Sequence, residues 1–183
     1  GPLMAGSALR AWELARVLLD AGHEVVLAGA AGSTHPEGHG PAVVEGPRWG
    51  WAEAVVAAPW SLPPRAFLGR HLLVVDGATP LLAELAAVPP SPLVRRRQRT
   101  AAARLPLALA RADAVLAAGT AQLRWWRRQL AARPGVPIVD LPFGIPEDDP
   151  PPDAEPLVGV PAAWAVVLWW GGVWPWLDLD TLL

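Results

Sequence analysis

The chain has 183 residues, of which 52% are apolar, and a formal net charge of −2. That size and composition allow a sizeable core and exclude global disorder. The absence of cysteine excludes disulfide and thiolate-metal frameworks, and the small net charge gives no whole-protein signature of nucleic-acid binding. The longest apolar run, Ala162 to Trp170, is nine residues, whereas a membrane-spanning helix needs ~20.

The first part of the chain predicts one helix followed by short buried strands. Apolar residues recur at helical spacing from Ser7 to Ala21, with Ser7 as the expected N-cap and Gly22 just beyond the C-terminus. The Gly-, Pro- and His-rich stretch Gly32–Gly50 predicts a loop with little regular structure. Nearly all-apolar segments are typical of strands buried on both faces of a parallel sheet. The predicted strands are Glu24–Ala28, Ala54–Ala58, Leu72–Asp76, Ala114–Ala118 and Ile138–Leu141.

Helices are predicted between these strands. Thr79 and Pro80 are expected to cap and open a helix to Val88, and Ser91 and Pro92 predict a long helix to about Ala112. Pro106 is expected to kink that long helix. Thr120 is the expected cap of a helix to about Arg133. Alternating strands and helices predict an α/β, Rossmann-like fold with a doubly wound parallel sheet.

The composition changes near the end of this domain. We assign residues 1–141 to the Rossmann-like domain and residues 142–161, which contain seven prolines and several carboxylates, to a linker. Residues 162–183 are expected to form the first strand and loop of a second domain. Since no strand precedes the first helix and the chain stops as another helix begins, we expect truncation at both ends.

The start of the first helix is a candidate anion site. Helix N-termini present unpaired N–H groups and partial positive charge to a phosphate. Gly6 would permit close approach of a ligand, Ser7 lies in the first turn, and Arg10 would add a guanidinium. An ordinary capped helix start explains the same residues equally simply.

Two further candidates follow predicted strands, where open α/β sheets bind ligands. Gly171 and Gly172 end one strand, with Trp174 and Asp178 beyond them as cleft-lining groups. The alternative is that these tryptophans only cover an inter-domain surface. Asp76 ends another strand and is the candidate catalytic carboxylate, with turn formation as its alternative role.

No metal site is predicted, although His35, Glu37 and His39 lie close together. Pro36 and Gly38 make that segment an irregular loop, unlike a helical metal motif with two histidines at i and i+4.

A mixed arginine and tryptophan surface predicts weak contact with an anionic membrane. All 15 basic residues are arginine, a bias typical of high-GC coding, so a merely solvated face is the alternative. The residues expected to make this contact are Arg95, Arg96, Arg99, Trp125 and Trp126.

Several motifs together resemble the bacterial group-1 glycosyltransferases of family 4, which have the two-domain GT-B fold. Gly6–Ala15 is similar to that family's glycine loop and first helix, although Ser7 and Ala8 stand where it has proline and glycine. Ala110–Leu116 resembles its A-R-A-D-x-V strand, and Pro142–Pro146 its inter-domain turn. Leu168–Leu183 resembles L-W-G-G-G-I-W-D-W-F-D-P-L-T-L-I, the opening of the second domain.

The resemblance implies transfer of a sugar, with retention, from a nucleotide-sugar co-substrate to a glycan or glycoconjugate acceptor. It implies no cofactor and no catalytic metal. Donor phosphates would lie against Gly6, Ser7 and Arg10, with Gly171 and Gly172 on the other side of the cleft. Many family members have a histidine near the position of Asp76. The family's paired glutamates belong to the second domain, so this piece is expected to be inactive alone.

Two other functions remain open from the sequence. One is a sugar-nucleotide epimerase of the same fold. The other is a standalone Rossmann-like binding domain whose tryptophan-rich tail docks a partner. For the glycosyltransferase we expect a cytoplasmic location, with membrane association at the inner face.

Overall fold

The computed structural model of the chain is a mixed α/β structure with parallel sheets, compatible with a Rossmann-like fold. It describes residues 6–33, 40–46, 50–143 and Gly159. A 3-10 helix, Pro64–Leu68, precedes the fourth strand. The helices and strands in chain order are α1 (Gly6–Asp20), β1 (Val26–Gly29), β2 (Ala42–Glu45), β3 (Ala54–Ala57), β4 (Leu72–Asp76), α2 (Leu81–Ala87), α3 (Pro92–Arg111), β5 (Ala114–Ala117), α4 (Thr120–Gln129) and β6 (Ile138–Asp140).

The described strands form two parallel sheets. Strand β1 pairs with β2, and the larger sheet has the order β3-β4-β5-β6. In the larger sheet each strand pairs with the next one along the chain, so that the carboxyl ends of all four strands lie at one edge. Polar groups following these strands are therefore brought together there.

One face of the larger sheet carries the main core. Leu73 and Val75 of β4 and Val115 of β5 are fully buried there. Val75 and Val115 are register partners, so their side chains point to the same face of the sheet. Leu105 and Ala108 of α3 pack against them, as do Trp126 of α4, Leu130 just after it, and residues of the 3-10 helix. Burial of apolar surface beneath these helices is the main stabilising contribution to the fold.

The opposite face is more open among the described residues. Leu72, Val56 and Val139 point to this side and are 58%, 42% and 46% exposed. Asp76 lies on the same side at the end of β4, where Arg10 of α1 reaches it. Helices α3 and α4 therefore cover one face, whereas α1 reaches the other only through Arg10 at its edge, so that a doubly wound sheet stays a prediction.

The stretch Gly32–Gly50 is not simply a loop, so that prediction was wrong at β2. Ala42–Glu45 forms a strand whose four residues pair with Val26–Gly29 of β1. Two adjacent valines favour extended backbone, and pairing with β1 overrides the surrounding Gly- and Pro-rich composition.

Helix ends follow the sequence signals in part. Ser91 caps α3, because its Oγ accepts a hydrogen bond from the Val94 N–H at 3.1 Å. Gly22 ends α1 with a φ of +88° and donates to the Leu19 carbonyl, as expected for a left-handed C-terminal glycine.

Other predicted ends were wrong, beginning with Ser7, which is the second residue of α1 and not its N-cap. Thr120 is the first residue of α4 and Gly119 is its N-cap, with a φ of +94°. Pro80 rather than Thr79 precedes α2, and no side chain caps it. Helix α4 ends at Gln129 instead of Arg133, since Leu130 and the turn after it depart from helical geometry. Helix α3 continues through Pro106, whose ring is exposed, and the kink expected there stays a prediction. No described helix is long and apolar enough to cross a membrane.

A close approach between α4 and the turn after β4 fixes the carboxyl edge of the sheet. Trp126 is fully buried, and its indole Nε1 donates to the Gly77 carbonyl at 3.0 Å. A Cβ atom at Gly77 would overlap the indole ring. Glycine is therefore required at position 77 by packing, not by backbone conformation.

We predict that Gly77→Ala lowers the free energy of unfolding by about 1–3 kcal/mol, because a methyl group forces the indole or the β4 turn to move. Urea unfolding monitored by tryptophan fluorescence measures the change. Gly135→Ala is the matched control, since no atom lies within 4 Å of its Cβ position, and we expect a change within about 0.5 kcal/mol. Equal effects of the two substitutions would contradict this packing argument.

At the opposite edge, Asp113 ties the start of β4 to the start of β5. Its carboxylate accepts hydrogen bonds from the Leu73 N–H at 2.7 Å and from Arg111 Nη1 at 2.7 Å. The Leu73 N–H, assisted by the nearby guanidinium groups, lowers the pKa of Asp113 despite an opposing desolvation. Arg111 also donates to the Gly69 and His71 carbonyls, so polar contacts join the end of α3 to the segment before β4.

This geometry predicts an acid-sensitive contribution to stability. Because the pKa of Asp113 is lowered by folding, its contribution is present above the unfolded pKa of about 4 and is lost as pH falls through the folded value. Asp113→Asn should lower the free energy of unfolding by about 0.5–1 kcal/mol at about pH 7 and have little effect near about pH 2. Urea unfolding across pH measures this, with the exposed Asp20→Asn as control. A difference that is independent of pH would contradict the prediction.

Candidate functional site

The carboxyl edge of the larger sheet joins α1 to β4 through an ion pair. Asp76 is the last residue of β4, and Arg10 lies in the second turn of α1. Arg10 Nε lies 3.1 Å from both carboxylate oxygens of Asp76. The side chains are only 4% and 18% exposed. Since this contact bridges residues 66 positions apart, it fixes the start of α1 beside the end of β4.

Arg10 also reaches the segment that leaves β6. Its Nη1 donates to the Pro142 carbonyl at 3.2 Å, and its guanidinium carbon lies 5.0 Å from the centre of the Phe143 ring. The second terminal nitrogen, Nη2, is buried and has no hydrogen-bond partner within the described residues. Arg10 therefore joins three chain segments and retains one unused buried donor, a costly arrangement for a cationic group.

Asp76 has a second role in the local turn. Its Oδ1 accepts a hydrogen bond from the Ala78 N–H at 3.2 Å, as in an Asx turn. The turn-forming role considered from the sequence is therefore present, together with the Arg10 contact that the sequence did not predict. Its remaining exposed surface leaves room for a hydrogen bond from a ligand hydroxyl.

Gln122 extends this network and was missed by the sequence analysis. Its Nε2 donates to the Ala78 carbonyl and its Oε1 accepts from the Ala118 N–H, both at 2.8 Å. Asp140 accepts from the Gly119 N–H at 2.8 Å. The ends of β4, β5 and β6 are thus connected by side chains. Only the position of Gln122, five residues after the end of β5, offered a sequence signal.

The other residues of the predicted anion site lie at the open start of α1. Gly6 and Ser7 are exposed, and apart from the chain neighbours and the helix backbone no described atom lies within 4 Å of the position of a Gly6 Cβ. The first-turn N–H groups of a helix lack intrahelical acceptors and carry partial positive charge. Gly6 and Ser7 are therefore exposed among the described residues, whereas Arg10, in the next turn, is 5% exposed.

The remaining candidate residues for ligand or metal binding are not among those that the structure describes. Gly171, Gly172, Trp174 and Asp178 lie outside the described residues, as do His35, Glu37 and His39. Among the residues that are described, no group of histidine, aspartate and glutamate side chains is arranged to hold a metal ion.

The prediction that Trp126 belongs to an exposed membrane-facing surface was wrong. Its ring is fully buried against Gly77, and Trp125 packs edge-on against it with ring centres 4.5 Å apart. Trp126 is therefore part of the core and Trp125 packs against it, whereas Arg95, Arg96 and Arg99 remain exposed.

Two surface depressions lie elsewhere on the molecule, and we do not assign the candidate ligand site to either of them. One of about 270 Å³ lies at the amino end of β5, beside Asp113 and Arg133. Another of about 360 Å³ lies beside Trp51 and Val26. Neither is bordered by Arg10 or Asp76, and ligands of open α/β sheets bind at the carboxyl ends of the strands.

No protein-family model, curated protein or solved structure matches this chain in comparisons with known proteins. The site geometry and the sequence motifs therefore carry the functional proposal.

The Arg10–Asp76 contact should show strong energetic coupling. We expect Arg10→Gln and Asp76→Asn each to lower the free energy of unfolding by about 1–3 kcal/mol, because each leaves a partly buried partner unmatched. The double variant should cost at least about 1 kcal/mol less than the sum of the two single changes.

The exposed Glu13–Arg16 pair, at 3.4 Å, is the matched control, with an expected coupling below about 0.5 kcal/mol. Urea unfolding of both mutant cycles measures the difference. Additive effects at Arg10 and Asp76 would show that the two groups do not act as a pair.

Proposed function

We propose that this chain is the acceptor-side part of a retaining GT-B glycosyltransferase that uses a nucleotide-sugar donor. One observation carries the proposal: the start of α1 and the end of β4 meet at the carboxyl edge of a parallel sheet through Arg10 and Asp76. In the resembled family this edge faces the donor cleft. The motif from Leu168 to Leu183 supports the same assignment from the sequence.

The α1 N-terminus is suited to the donor diphosphate. Its first-turn N–H groups point along the helix axis, and Gly6 leaves space for a close approach of phosphate oxygens. Arg10 contributes positive charge one turn further on, although Asp76 offsets part of it. We assign phosphate contact to Gly6 and Ser7, and we assign to Arg10 the task of holding this helix start against the sheet.

Asp76 is suited to contact a sugar hydroxyl. An ionised carboxylate accepts a hydrogen bond from a hydroxyl group, and Arg10 and Ala78 fix the orientation of this one. In this proposal Asp76 binds and orients the acceptor hydroxyl next to the donor. Because it stands where many family members have histidine, we assign it orientation and not proton transfer.

Transfer requires the opposite side of the cleft. A half-open edge leaves the nucleotide and the leaving diphosphate in water, where electrostatic stabilisation is weak. Gly171 and Gly172 belong to the proposed second domain, together with the paired glutamates that the family resemblance implies. We therefore expect the 183-residue chain to bind donor weakly and to transfer no sugar by itself.

The test uses the full polypeptide encoded by the gene that contains this segment. We expect a glutamate pair spaced E-x7-E downstream, and transfer from one member of a nucleotide-sugar panel with the anomeric configuration retained, followed by NMR. Asp76→Asn should lower kcat/KM by about 10- to 100-fold, the loss of one oriented hydrogen bond. Glu13→Gln, on the exposed side of α1, should leave transfer unchanged.

Other outcomes of this test contradict the proposal. Epimerisation of the nucleotide-sugar without an acceptor would identify the epimerase alternative. A stop codon directly after Leu183, with no turnover of any donor, would favour a standalone binding domain.

A further inference from the structure

The outer surface of α3 and α4 carries an unusual concentration of positive charge. Both helices pack on the same face of the larger sheet, because Leu105 of α3 and Trp126 of α4 belong to one core cluster with Val75 and Val115. Neither helix sequence contains aspartate or glutamate. Their outward sides therefore carry no acidic residue of their own, and we call them together the arginine face; α2, which packs against α3, contributes Glu84 beside it.

The arginines of these helices divide into two groups. Arg104 donates to the Trp60 carbonyl, and Arg111 pairs with Asp113, so these two serve the fold. The others are exposed, and none has a hydrogen bond or ion pair within the described residues. They are Arg95, Arg96, Arg97 and Arg99 on α3 and Arg124, Arg127 and Arg128 on α4.

Exposed leucines lie among these charges. Leu93 is 58% exposed and Leu107 is 52% exposed. At 100° per residue, Leu107 lies on the same side of α3 as Arg96 and Arg99, opposite the buried Leu105 and Ala108. An apolar side chain beside guanidinium groups has no favourable partner on a phosphodiester or carboxylate polymer, but it can enter the headgroup region of a bilayer.

We propose that the arginine face docks on an anionic lipid bilayer surface. Seven positive charges are spread over two helices that pack on the same sheet face, and charges spread in this way are complementary to a negatively charged plane. The chain as a whole has a net charge of −2, so the attraction depends on orientation and not on overall charge. The guanidinium groups contact lipid phosphates, while Leu93 and Leu107 enter the interface.

This docking leaves the Arg10–Asp76 pair at the carboxyl edge off the lipid-facing side of the sheet. The arginine face covers one face of the sheet, and Arg10 approaches Asp76 from the other face at the carboxyl edge. A cleft at that edge remains open while the helices rest on lipid. The inference does not depend on glycosyl transfer, and its test measures binding only, so the two proposals can fail separately.

Sedimentation of the full chain with vesicles tests the proposal. We expect binding to phosphatidylcholine vesicles that contain about one third phosphatidylglycerol, little binding to pure phosphatidylcholine, and release by salt. Arg96→Gln should weaken binding about fivefold, the value for one interfacial arginine. Arg16→Gln on α1, with the same charge change on the other side of the domain, is the matched control and should have little effect. Circular dichroism verifies that each variant is folded.

A second substitution separates a lipid surface from a soluble polyanion. Leu107→Ala should weaken vesicle binding by about two- to threefold, and it should leave binding to polyphosphate unchanged. The proposal is overturned by equal binding to neutral and anionic vesicles, or by equal effects of Arg96→Gln and Arg16→Gln. It is also overturned if Leu107→Ala has no effect on vesicles, which would identify a polyanion as the partner.

Discussion

The packing of Trp126 against Gly77 is the interaction on which the rest of this structure depends. The indole closes the core between α4 and the sheet, and its N–H holds the carbonyl of the residue that follows Asp76. Core packing thereby sets the position of a charged side chain at the surface. A less complementary contact would leave the β4 turn free to move, and the ion pair with Arg10 would lose its fixed geometry.

Arg10 connects Asp76, at the end of β4, to the other segments of the carboxyl edge. From α1 it contacts the end of β4 and the segment after β6, which are far apart in the sequence. A single guanidinium thus assembles an edge from three segments, at the place where parallel sheets present ligands. Within the described residues, Nη2 of Arg10 is buried without a hydrogen-bond partner. The proposed donor and acceptor contacts rest on this arrangement of an exposed helix start and a fixed carboxylate.

Much of the fold was predictable because local signals agreed with the tertiary structure. The apolar runs around Val75 and Val115 gave parallel strands, and Ser91 and Gly22 marked helix ends correctly. Strand β2 was missed because its two valines are surrounded by loop-forming residues, and only pairing with β1 stabilises it. Trp126 was misplaced because adjacent arginines suggested an exposed face, whereas helical periodicity turns that one ring inward.

The residues of the candidate site could be predicted from the sequence, but the contacts between them could not. Gly6, Ser7, Arg10 and Asp76 were each proposed, yet the sequence contains no signal that Arg10 and Asp76 pair, because 66 residues separate them. The contacts of Gln122 were missed for a similar reason, since its partners Ala118 and Ala78 follow two different strands. Long-range polar contacts depend on side-chain geometry, which periodicity and motifs do not encode.

The most direct measurement is an NMR titration of the isotopically labelled 183-residue chain with uridine diphosphate. A diphosphate that binds at the carboxyl edge should shift the amide signals of Gly6, Ser7, Gly77 and Ala78 in a saturable manner, with affinity in the millimolar range expected of half a cleft. Shifts confined to the opposite edge, around Asp113 and Gly135, or no saturable shift at the start of α1, would contradict the central claim that Arg10 and Asp76 assemble a diphosphate-binding edge.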